Sequence, residues 1–346
     1  MRRSDRLTVV DCSGVGAGGI SRVLTEVVRH WPAGHGLRLV AVPEGWELPA
    51  RAAEVTLVSR QGGGRERTIA AATAALRKAT ADAGIRTGVL SLSPSLAIVG
   101  SRLPVTTIVH DLAFRLWPQG LSPAVRQYRR LSYATAISRS TRLLCVSART
   151  RHDLLGLYGA GDERTAVWHP GSDLAEPGKL PAPLAGLPGD YLVVAGHAEH
   201  KGVELAIEAM ARLPQYVLAV LTGGNRIDRF AAAAADSPAA DRIVFLDRLT
   251  EPEYSATLAR AVAFLMPSHF EGYGLPAAEA LRLGTPTVIS PDPALHEATG
   301  GAAARMTSWT ATALVEALRE PRRPTAATAG RSWRAATTEL VERLEP

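Results

Sequence analysis

The sequence predicts an α/β protein with two doubly wound domains, each built on a parallel sheet. Apolar, strand-like runs alternate with helical patterns along all 346 residues, a length that suits two domains of ordinary size. The stretch from Pro170 to Gly189 interrupts this alternation with five prolines and four glycines, so we place a linker at 175–190. The domains then cover 1–174 and 191–325, and a last helical segment covers 326–346.

In the first domain, short runs rich in Val, Leu and Ile are typical of buried parallel strands. Longer segments, rich in alanine and with apolar residues three or four positions apart, are typical of helices. Strands are predicted at Leu7–Cys12, Leu37–Pro43, Glu54–Val58, Gly88–Ser93, Val105–His110 and Leu143–Ser147, and helices at Ile20–Trp31, Glu66–Ala83, Ser122–Ser140 and Ala148–Tyr158.

The second domain repeats this alternation. Since such domains bind ligands at the carboxyl ends of their strands, we expect a ligand cleft between the two sheets. Strands are predicted at Tyr191–Ala195, Val217–Thr222, Ile243–Leu246, Ala263–Met266 and Thr287–Ile289, and helices at Val203–Leu213, Ile227–Ala235, Glu251–Ala261, from Pro276 to Gly284, Thr310–Leu318 and Trp333–Leu344.

The composition, with 46% hydrophobic and 21% charged residues, indicates a globular protein. Only three of the 39 basic residues are lysines, a coding bias that weakens any inference from the net charge of +6. We therefore expect a solvated basic surface and no nucleic-acid partner. One dense group of arginines could approach an anionic membrane or a phosphorylated acceptor, or form a polar helix face. It comprises Arg126, Arg129, Arg130, Arg139, Arg142, Arg149 and Arg151.

The cellular location is predicted from two absences in the sequence. No apolar run approaches the length of a bilayer span, and the N-terminus has no hydrophobic signal segment. We expect a cytoplasmic protein, peripheral to the inner face of the membrane if the arginine group contacts lipid. Cys12 and Cys145 both lie in apolar runs and are predicted to be buried thiols.

A glycine-rich turn from Gly14 to Gly19 separates the first strand from the first helix and fits the dinucleotide fingerprint G-x-G-x-x-G. An NAD site also needs an acidic residue about 20 residues further on, and the nearest candidate, Glu44, follows a proline in a loop. Three interpretations stay open: an NAD site, a tight turn without a ligand, and a loop that lines a phosphate or acceptor site. The content of the second domain favours the third.

Two further segments follow strands and carry polar side chains. His110, with Asp111, comes at the carboxyl end of a strand and therefore at the mouth of the crevice, which favours a functional histidine. Gly196–Gly202 opens a helix in the second domain, where Lys201 would add its charge to the helix amides in holding a diphosphate. His197, Glu199 and His200 lack a fourth ligand at a suitable spacing, so we expect no metal site there.

Residues 266–290 are the most informative stretch and are predicted to form a strand, a loop, a short helix and a strand. Glu271 lies in the loop and Glu279 in the helix, whose first turn begins at Pro276. Gly272 and Gly274 let a ligand approach the backbone, and the amides of the helix favour an anion. Carboxylates on both sides of an anion-binding loop suit a ligand with hydroxyls flanking a phosphate, such as a nucleotide sugar.

Taken together, these segments resemble the retaining glycosyltransferases of family four, which have the GT-B fold, over nearly the full chain. The most specific element is the Glu-x7-Glu pattern of Glu271 and Glu279 within Phe-Glu-Gly-Tyr-Gly-Leu-Pro. The supporting elements are Gly-Gly-Ile-x-Arg at 18–22, Val-His-Asp-Leu at 109–112, Val-Ser-Ala-x-Thr at 146–150, His-Pro-Gly-Ser-Asp at 169–173, Lys-Gly at 201–202 and Ser-Trp at 332–333.

The resemblance implies two Rossmann-like domains facing a cleft, with the C-terminal helix crossing back to the first domain. It also implies a hexosyltransferase that uses a UDP-, GDP- or TDP-hexose and a hydroxyl acceptor, which could be a small molecule, a glycan or a lipid. No metal or other cofactor is implied, because fixed cations and helix dipoles stabilise the departing diphosphate. The acceptor attacks on the face that the leaving group occupied, with the phosphate as base, so the anomeric configuration is retained.

Individual roles follow from the same resemblance. Glu279 resembles the carboxylate that binds the ribose, Glu271 the one that binds the transferred sugar, and Lys201 the cation that neutralises the diphosphate. His110 resembles the residue beside the anomeric carbon. The remaining donor contacts implied are Gly18 and Gly19 under the diphosphate, and His197, Gly272, Tyr273, Gly274 and Leu275 in the second domain.

This chain departs from the family at one position, since His197 stands where an arginine is usual. A histidine is only partly charged at neutral pH, so we expect weaker or pH-dependent stabilisation of the diphosphate unless Arg226 or another arginine substitutes. A non-catalytic nucleotide-sugar-binding protein therefore remains an alternative, as does a nucleotide-sugar epimerase or hydrolase of the same fold. An oxidoreductase ranks last, because it leaves the second domain unexplained.

Overall fold

The computed structural model describes residues 7–16, 18–49, 55–59, 65–81, 88–187, 190–225, 227–319 and 330–344. The chain forms two compact units, each an α/β layer structure with a parallel sheet, as the sequence predicts. The first unit runs to Gly171 and resumes at Ser332, and the second unit is the continuous segment Ser172–Arg331.

The strands described in the first unit form one sheet in the order β3-β2-β1-β4-β5-β6-β7. Every pair in this order is parallel, and the central strands β1, β4 and β5 are buried almost throughout, as strands covered by helices on both faces must be. The strands are β1 (Leu7–Asp11), β2 (Gly36–Val42), β3 (Val55–Ser59), β4 (Val89–Ser91), β5 (Val105–Val109), β6 (Arg142–Cys145) and β7 (Thr165–Val167).

The helices of the first unit include one that comes from the far end of the chain. They are α1 (Gly19–Arg29), α2 (Arg65–Thr80), α3 (Ala113–Leu116), α4 (Pro123–Arg139), α5 (Ala148–Tyr158) and, after the second unit, α13 (Trp333–Glu342). The fully buried indole of Trp168 donates to the carbonyl oxygen of Ala336 on α13, with an N···O distance of 2.9 Å. Trp333 is also fully buried, so α13 is part of the core of this unit.

The second unit contains a parallel sheet in the order β10-β9-β8-β11-β12-β13. Along β8, Leu192 and Val194 belong to one apolar cluster, whereas Val193 and Ala195 belong to the other, so the core has a layer on each face of the sheet. The strands are β8 (Tyr191–Ala195), β9 (Val217–Leu221), β10 (Ile243–Leu246), β11 (Ala263–Met266), β12 (Thr287–Ile289) and β13 (Ala304–Arg305).

The helices of the second unit begin with clear local signals. A capping box joins Thr250 and Glu253 at the start of α9, and the Asp292 carboxylate accepts from the Ala294 amide at the start of α11. The helices are α6 (Ala182–Ala185), α7 (Val203–Ala209), α8 (Asp228–Ala235), α9 (Glu251–Ala259), α10 (Leu275–Arg282), α11 (Pro293–Ala298) and α12 (Ala311–Arg319).

The segment predicted to be a linker, 175–190, belongs to the second unit wherever the structure describes it. It forms α6, and Leu184 is buried with Leu180 and Leu187 packed nearby against the second core. Residues 188 and 189, Arg226 and the predicted boundary at 326 lie outside the described residues. None of the helices described here is long and apolar enough to cross a membrane.

Candidate active site

The loops that follow β8 and β11 bring the predicted donor residues of the second unit together. Lys201 ends a short 3-10 turn before α7 and is 5% exposed, and Glu271 follows β11 and is 7% exposed. The Lys201 Nζ atom lies 2.7 Å from Glu271 Oε1, so these side chains, 70 positions apart in sequence, form a buried ion pair. Because an unpaired buried charge would be very costly, the short contact between the two side chains offsets the cost of their burial.

The electrostatics of Glu271 reflect this pairing. Burial disfavours its ionisation, but the Lys201 ammonium, which also donates a hydrogen bond, and the nearby His200 outweigh burial, and the pKa of Glu271 is lowered from its usual value. The Glu271 amide also donates to Asp292 Oδ2 at 3.1 Å, which fixes the backbone under the carboxylate. The Glu271 side chain is therefore an anion held in place from two directions.

Close backbone contacts place the two loops side by side. The His269 amide donates to the carbonyl oxygen of His200 at 2.8 Å. Gly202 adopts φ +65°, and a Cβ atom at this position would lie 2.3 Å from the carbonyl oxygen of Pro267. Glycine is required at this position for its conformation and for the space, because any side chain would push the loops apart. This contact explains why Lys201 can reach Glu271.

Helix α10 carries the second predicted carboxylate. Gly274 precedes it at φ +104°, packed against the Leu295 side chain, and Pro276 occupies its first turn. Glu279 is 2% exposed, and its Oε2 atom accepts a hydrogen bond from the Tyr254 hydroxyl of α9 at 2.7 Å. Glu279 is thus a fixed acceptor on the helix that begins at the glycine loop.

The remaining donor-loop residues, Gly272, Tyr273 and Leu275, lie in or next to the same turn. Burial and the nearby Glu297 carboxylate raise the pKa of Tyr273 to about 12, against the opposing effect of Arg331. The hydroxyl of Tyr273 therefore stays protonated at neutral pH and can act as a hydrogen-bond donor.

The expectation that His197 is partly charged at neutral pH is wrong for this structure. Burial, together with the repulsion of Lys201 and His200, lowers the pKa of His197 to about 3, although Glu271 acts in the opposite direction. The Asn225 side chain also holds the carbonyl oxygen of His197 at 2.9 Å. His197 is therefore neutral at pH 7 and adds no positive charge to the Lys201 loop.

The first unit carries His110 and the glycine turn. His110 follows β5, and its Nε2 atom lies 2.7 Å from the carbonyl oxygen of Leu92. Since a carbonyl only accepts, Nε2 carries the proton and the neutral ring leaves a lone pair on Nδ1. Burial lowers the pKa of His110, although the Leu92 hydrogen bond and Asp111 oppose this effect. His110 can therefore accept a hydrogen bond from a hydroxyl.

Gly18 and Gly19 stand at the start of α1, and Gly18 adopts φ +97°. They belong to the first unit together with His110. Sequence reasoning missed the side chains that orient these groups and the carboxylates of the second unit. Asp292 could have been found from the Asp-Pro pair that starts α11, whereas Tyr254 follows no pattern that points to Glu279.

Both halves of the chain match glycosyltransferase family models. Residues 17–176 match the model described as Glycosyltransferase Family 4, and residues 186–318 match the model described as Glycosyl transferases group 1. A glycogen synthase of Mycobacterium tuberculosis is 33% identical over 201 residues, which are 57% of this chain and 48% of that protein. The chain thus aligns with about half the length of the curated relatives that it matches.

Solved structures show the same fold at low identity. Sucrose-phosphate synthase from Thermosynechococcus elongatus superposes with a TM-score of 0.73 at 18% identity, over 98% of this chain and 94% of that one. The Anabaena protein HepE, in complex with UDP-glucose, gives a TM-score of 0.70 at 15% identity, over 98% and 95% of the two chains. With its two family matches, its paired parallel-sheet units and its Glu-x7-Glu loop, the chain belongs to the family 4 glycosyltransferases of the GT-B type.

Proposed function

We propose that the protein is a retaining hexosyltransferase that moves a hexosyl group from a nucleoside-diphosphate sugar to a hydroxyl acceptor. The observation that carries this proposal is the buried Lys201–Glu271 pair, which lies in the loops at the carboxyl ends of β8 and β11. These are the positions at which doubly wound sheets bind nucleotides. Family membership and the fold shared with a UDP-glucose complex support a nucleotide-sugar donor.

The chemistry of each side chain suits a separate task. The Lys201 ammonium can shift from Glu271 towards a departing diphosphate, which offsets the charge that develops there. The Glu271 carboxylate, an acceptor, then binds hydroxyls of the transferred sugar, and Glu279 binds those of the ribose. No metal enters this proposal, because the positive charge is supplied by a side chain of the protein. His110, with its Nδ1 lone pair, accepts a hydrogen bond from a hydroxyl of the sugar.

The donor test compares UDP, GDP, TDP and NAD as stabilising ligands in thermal unfolding. We expect a nucleoside diphosphate to raise the melting temperature and NAD to leave it unchanged, since a ligand stabilises only the state that it binds. The protein is then incubated with UDP-glucose and acceptors from a cell extract, with and without EDTA. Mass spectrometry identifies the products. Stabilisation by NAD alone would contradict the proposal, and loss of product in EDTA would contradict its metal-independent form.

Two variants separate binding from turnover. Glu279→Ala removes the carboxylate that accepts from Tyr254, and we expect it to weaken nucleoside-diphosphate binding by about ten-fold or more, the size of one charge-assisted hydrogen bond. Lys201→Ala is expected to lower kcat by about 100-fold or more, with a smaller effect on binding. Isothermal titration calorimetry and steady-state kinetics measure the two effects. Tyr254→Phe is the matched control for Glu279, since it keeps the carboxylate.

Full transferase activity in Lys201→Ala would show that Lys201 does not stabilise the leaving group. Tight nucleotide-sugar binding by the wild-type protein without any turnover or hydrolysis would instead favour the non-catalytic binding protein. Conversion of the donor without an acceptor would favour the epimerase or hydrolase. These outcomes separate the main proposal from its alternatives.

We also propose that the protein makes a peripheral contact with an anionic membrane surface. Of the arginine group, Arg129, Arg149 and Arg151 form ion pairs with acidic neighbours of their own unit. We therefore place the contact on the outer face of α4, which we define by the exposed Arg130 and the neighbouring Leu131. Leu131 is 51% exposed. An arginine next to an exposed leucine suits anionic headgroups over an apolar layer.

A further inference from the structure

A buried carboxylate that the proposed reaction does not use lies beneath the glycine turn of the first unit. Asp11 is the last residue of β1 and is 1% exposed. Its Oδ1 atom accepts from the Ser13 amide at 3.0 Å. Its Oδ2 atom accepts from the hydroxyls of Ser91 at 2.9 Å and Ser95 at 2.8 Å. Donors from the turn after β1, the end of β4 and the loop after β4 thus converge on one side chain, although the Ser91 hydroxyl also lies 2.9 Å from the carbonyl oxygen of Ser93.

This arrangement is specific for a carboxylate. An ionised aspartate only accepts hydrogen bonds, whereas an asparagine of the same shape would direct an NH2 group at one of these donors. Burying a polar group is costly, and these hydrogen bonds offset that cost. The position therefore selects a side chain with two acceptor oxygens, which joins the turn after β1 to the end of β4 and the loop that follows it.

The network locks the glycine turn onto the loop after β4. The Ser13 hydroxyl donates to Ser95 Oγ at 2.8 Å. A Cβ atom on Gly14 would lie 3.0 Å from the carbonyl oxygen of Ser93, so the two loops are in close contact. Displacing the Asp11 side chain would consequently release the turn that leads to Gly18 and Gly19.

The same loop orients His110. The Leu92 amide donates to the carbonyl oxygen of Asp11 at 3.2 Å, and the Leu92 carbonyl oxygen accepts from His110 Nε2 at 2.7 Å. Ser91, held by the Asp11 carboxylate, directly precedes Leu92. The Asp11 carboxylate thus holds the residue next to Leu92, whose carbonyl oxygen fixes the tautomer of His110.

We propose that Asp11 is a positioning residue, which holds the glycine turn and His110, through the 91–95 loop, in the arrangement that the transfer reaction requires. The proposal rests on the proposed function for its effect on turnover. Its effect on His110 is independent of any activity. Asp11 does not touch the donor in this proposal, and it affects donor binding only through the glycine turn.

The first arm of the test measures the His110 ring. Protein labelled with 15N-histidine is recorded in long-range proton–nitrogen spectra, and the signals of His110 are assigned by their loss in His110→Gln. We expect the Nε2–H tautomer in the wild type and a shift of both ring nitrogens towards a tautomer mixture in Asp11→Asn. Unchanged His110 signals in Asp11→Asn overturn the proposal, whether or not the protein is an enzyme.

The second arm measures turnover and UDP affinity. Asp11→Asn is expected to lower kcat with UDP-glucose by about ten-fold or more, because small displacements of reacting groups are costly, and to raise the Kd of UDP by a clearly smaller factor. Ser95→Ala keeps the carboxylate but removes one donor, and we expect a smaller loss in the same direction. This variant keeps the test open if Asp11→Asn fails to fold.

The control is Thr107→Val, which removes a buried hydrogen bond of 2.7 Å between Thr107 and Ser140 in the same unit. It should lower the melting temperature and leave kcat unchanged. Equal losses of kcat in Thr107→Val and Asp11→Asn would reduce Asp11 to a stability residue and overturn the proposal. A wild-type protein without transfer activity would refute the proposed function, and the spectra of His110 would still decide the role of Asp11.

Discussion

Burial decides the charge of individual side chains in this protein. Glu271 has a lowered pKa because it is paired with Lys201, whereas the nearby, partly buried His197 loses its proton. A positive charge nearby disfavours the protonation of a histidine unless an anion binds beside it. Of Lys201 and His197, we therefore expect Lys201 to be the side chain that interacts with a diphosphate.

A pH titration of stability tests the state of His197. Its pKa is about 3 in the folded protein, below the ordinary value of 6.5, so between these values the unfolded chain binds a proton that the folded protein does not. The stability that His197 contributes is present above pH 6.5 and decreases as the pH falls. We expect the difference in unfolding free energy between wild type and His197→Asn to shrink below pH 6.5, by at most about 1.4 kcal/mol per pH unit.

Urea unfolding between pH 4 and pH 8 measures this difference. His152→Asn, at an exposed position on α5, is the matched control. A pH-dependent difference of the same size in the control, or none in His197→Asn, would contradict the assigned state of His197.

At this scale the chemistry of the site could be predicted from the sequence, but its contacts could not. Glu271, Glu279 and Lys201 stand in motifs whose residue types suit a nucleotide sugar. The charge of His197 was predicted wrongly, because burial depends on residues that are distant in sequence. Tyr254 and Asp11 were missed for the same reason, since nothing near them in the sequence shows that Glu279 and Ser91 will be their neighbours.

At the scale of elements, the donor side of the site depends on how closely two loops approach. The loop after β8 and the loop after β11 meet at Gly202. The Lys201–Glu271 pair can form only because this backbone contact brings the two loops together. The start of α10 is formed in the same way, with Gly274 in the left-handed region and Pro276 behind it. The backbone conformation at these glycines therefore determines where the side chains of the site lie.

We expect Gly202→Ala to destabilise the protein by about 2–5 kcal/mol, from a left-handed alanine and from overpacking against Pro267. Gly284→Ala is the matched control, because Gly284 has φ +82° but a Cβ atom there meets nothing within 4 Å. The control should lose only the conformational part, about 1–2 kcal/mol. Chemical unfolding gives both values. Equal losses would show that the close approach at Gly202 carries no energy.

Element prediction succeeded where periodicity was strong and failed for short elements. The strands β1, β8 and β11 and the longer helices lie close to their predicted places because apolar runs bounded by glycine and proline define them. The short helices α3, α6 and α11 were not predicted, since too few residues are present to show a period. The proline-rich segment at 175–190 was interpreted as a linker, but its leucines pack on the second core.

At the scale of the whole molecule, we can test whether basic residues on α4 bind an anionic membrane surface. If the outer face of α4 contacts an anionic surface, the protein should sediment with phosphatidylglycerol vesicles and not with phosphatidylcholine vesicles. Binding should decrease about ten-fold or more in the double variant Arg130→Glu with Leu131→Ser, and should weaken as salt rises, because headgroup attraction is screened. Arg212→Glu, an exposed arginine of the second unit, is the control of equal charge change. Equal loss in the control would mean that net charge, not α4, drives binding.

The return of α13 to the first unit has a consequence for how the chain acquires its structure. The second unit is one continuous segment and has all its residues once Arg331 has been synthesised. The first unit lacks part of its core until Trp333 and its helix have been made, although most of that unit precedes the second unit in the chain. Since domains tend to fold as units while they emerge from the ribosome, we expect the second unit to be able to complete its core before the first unit does. We expect the apolar surface around Trp168 to stay uncovered until α13 has been made, and such exposed surface favours aggregation during synthesis.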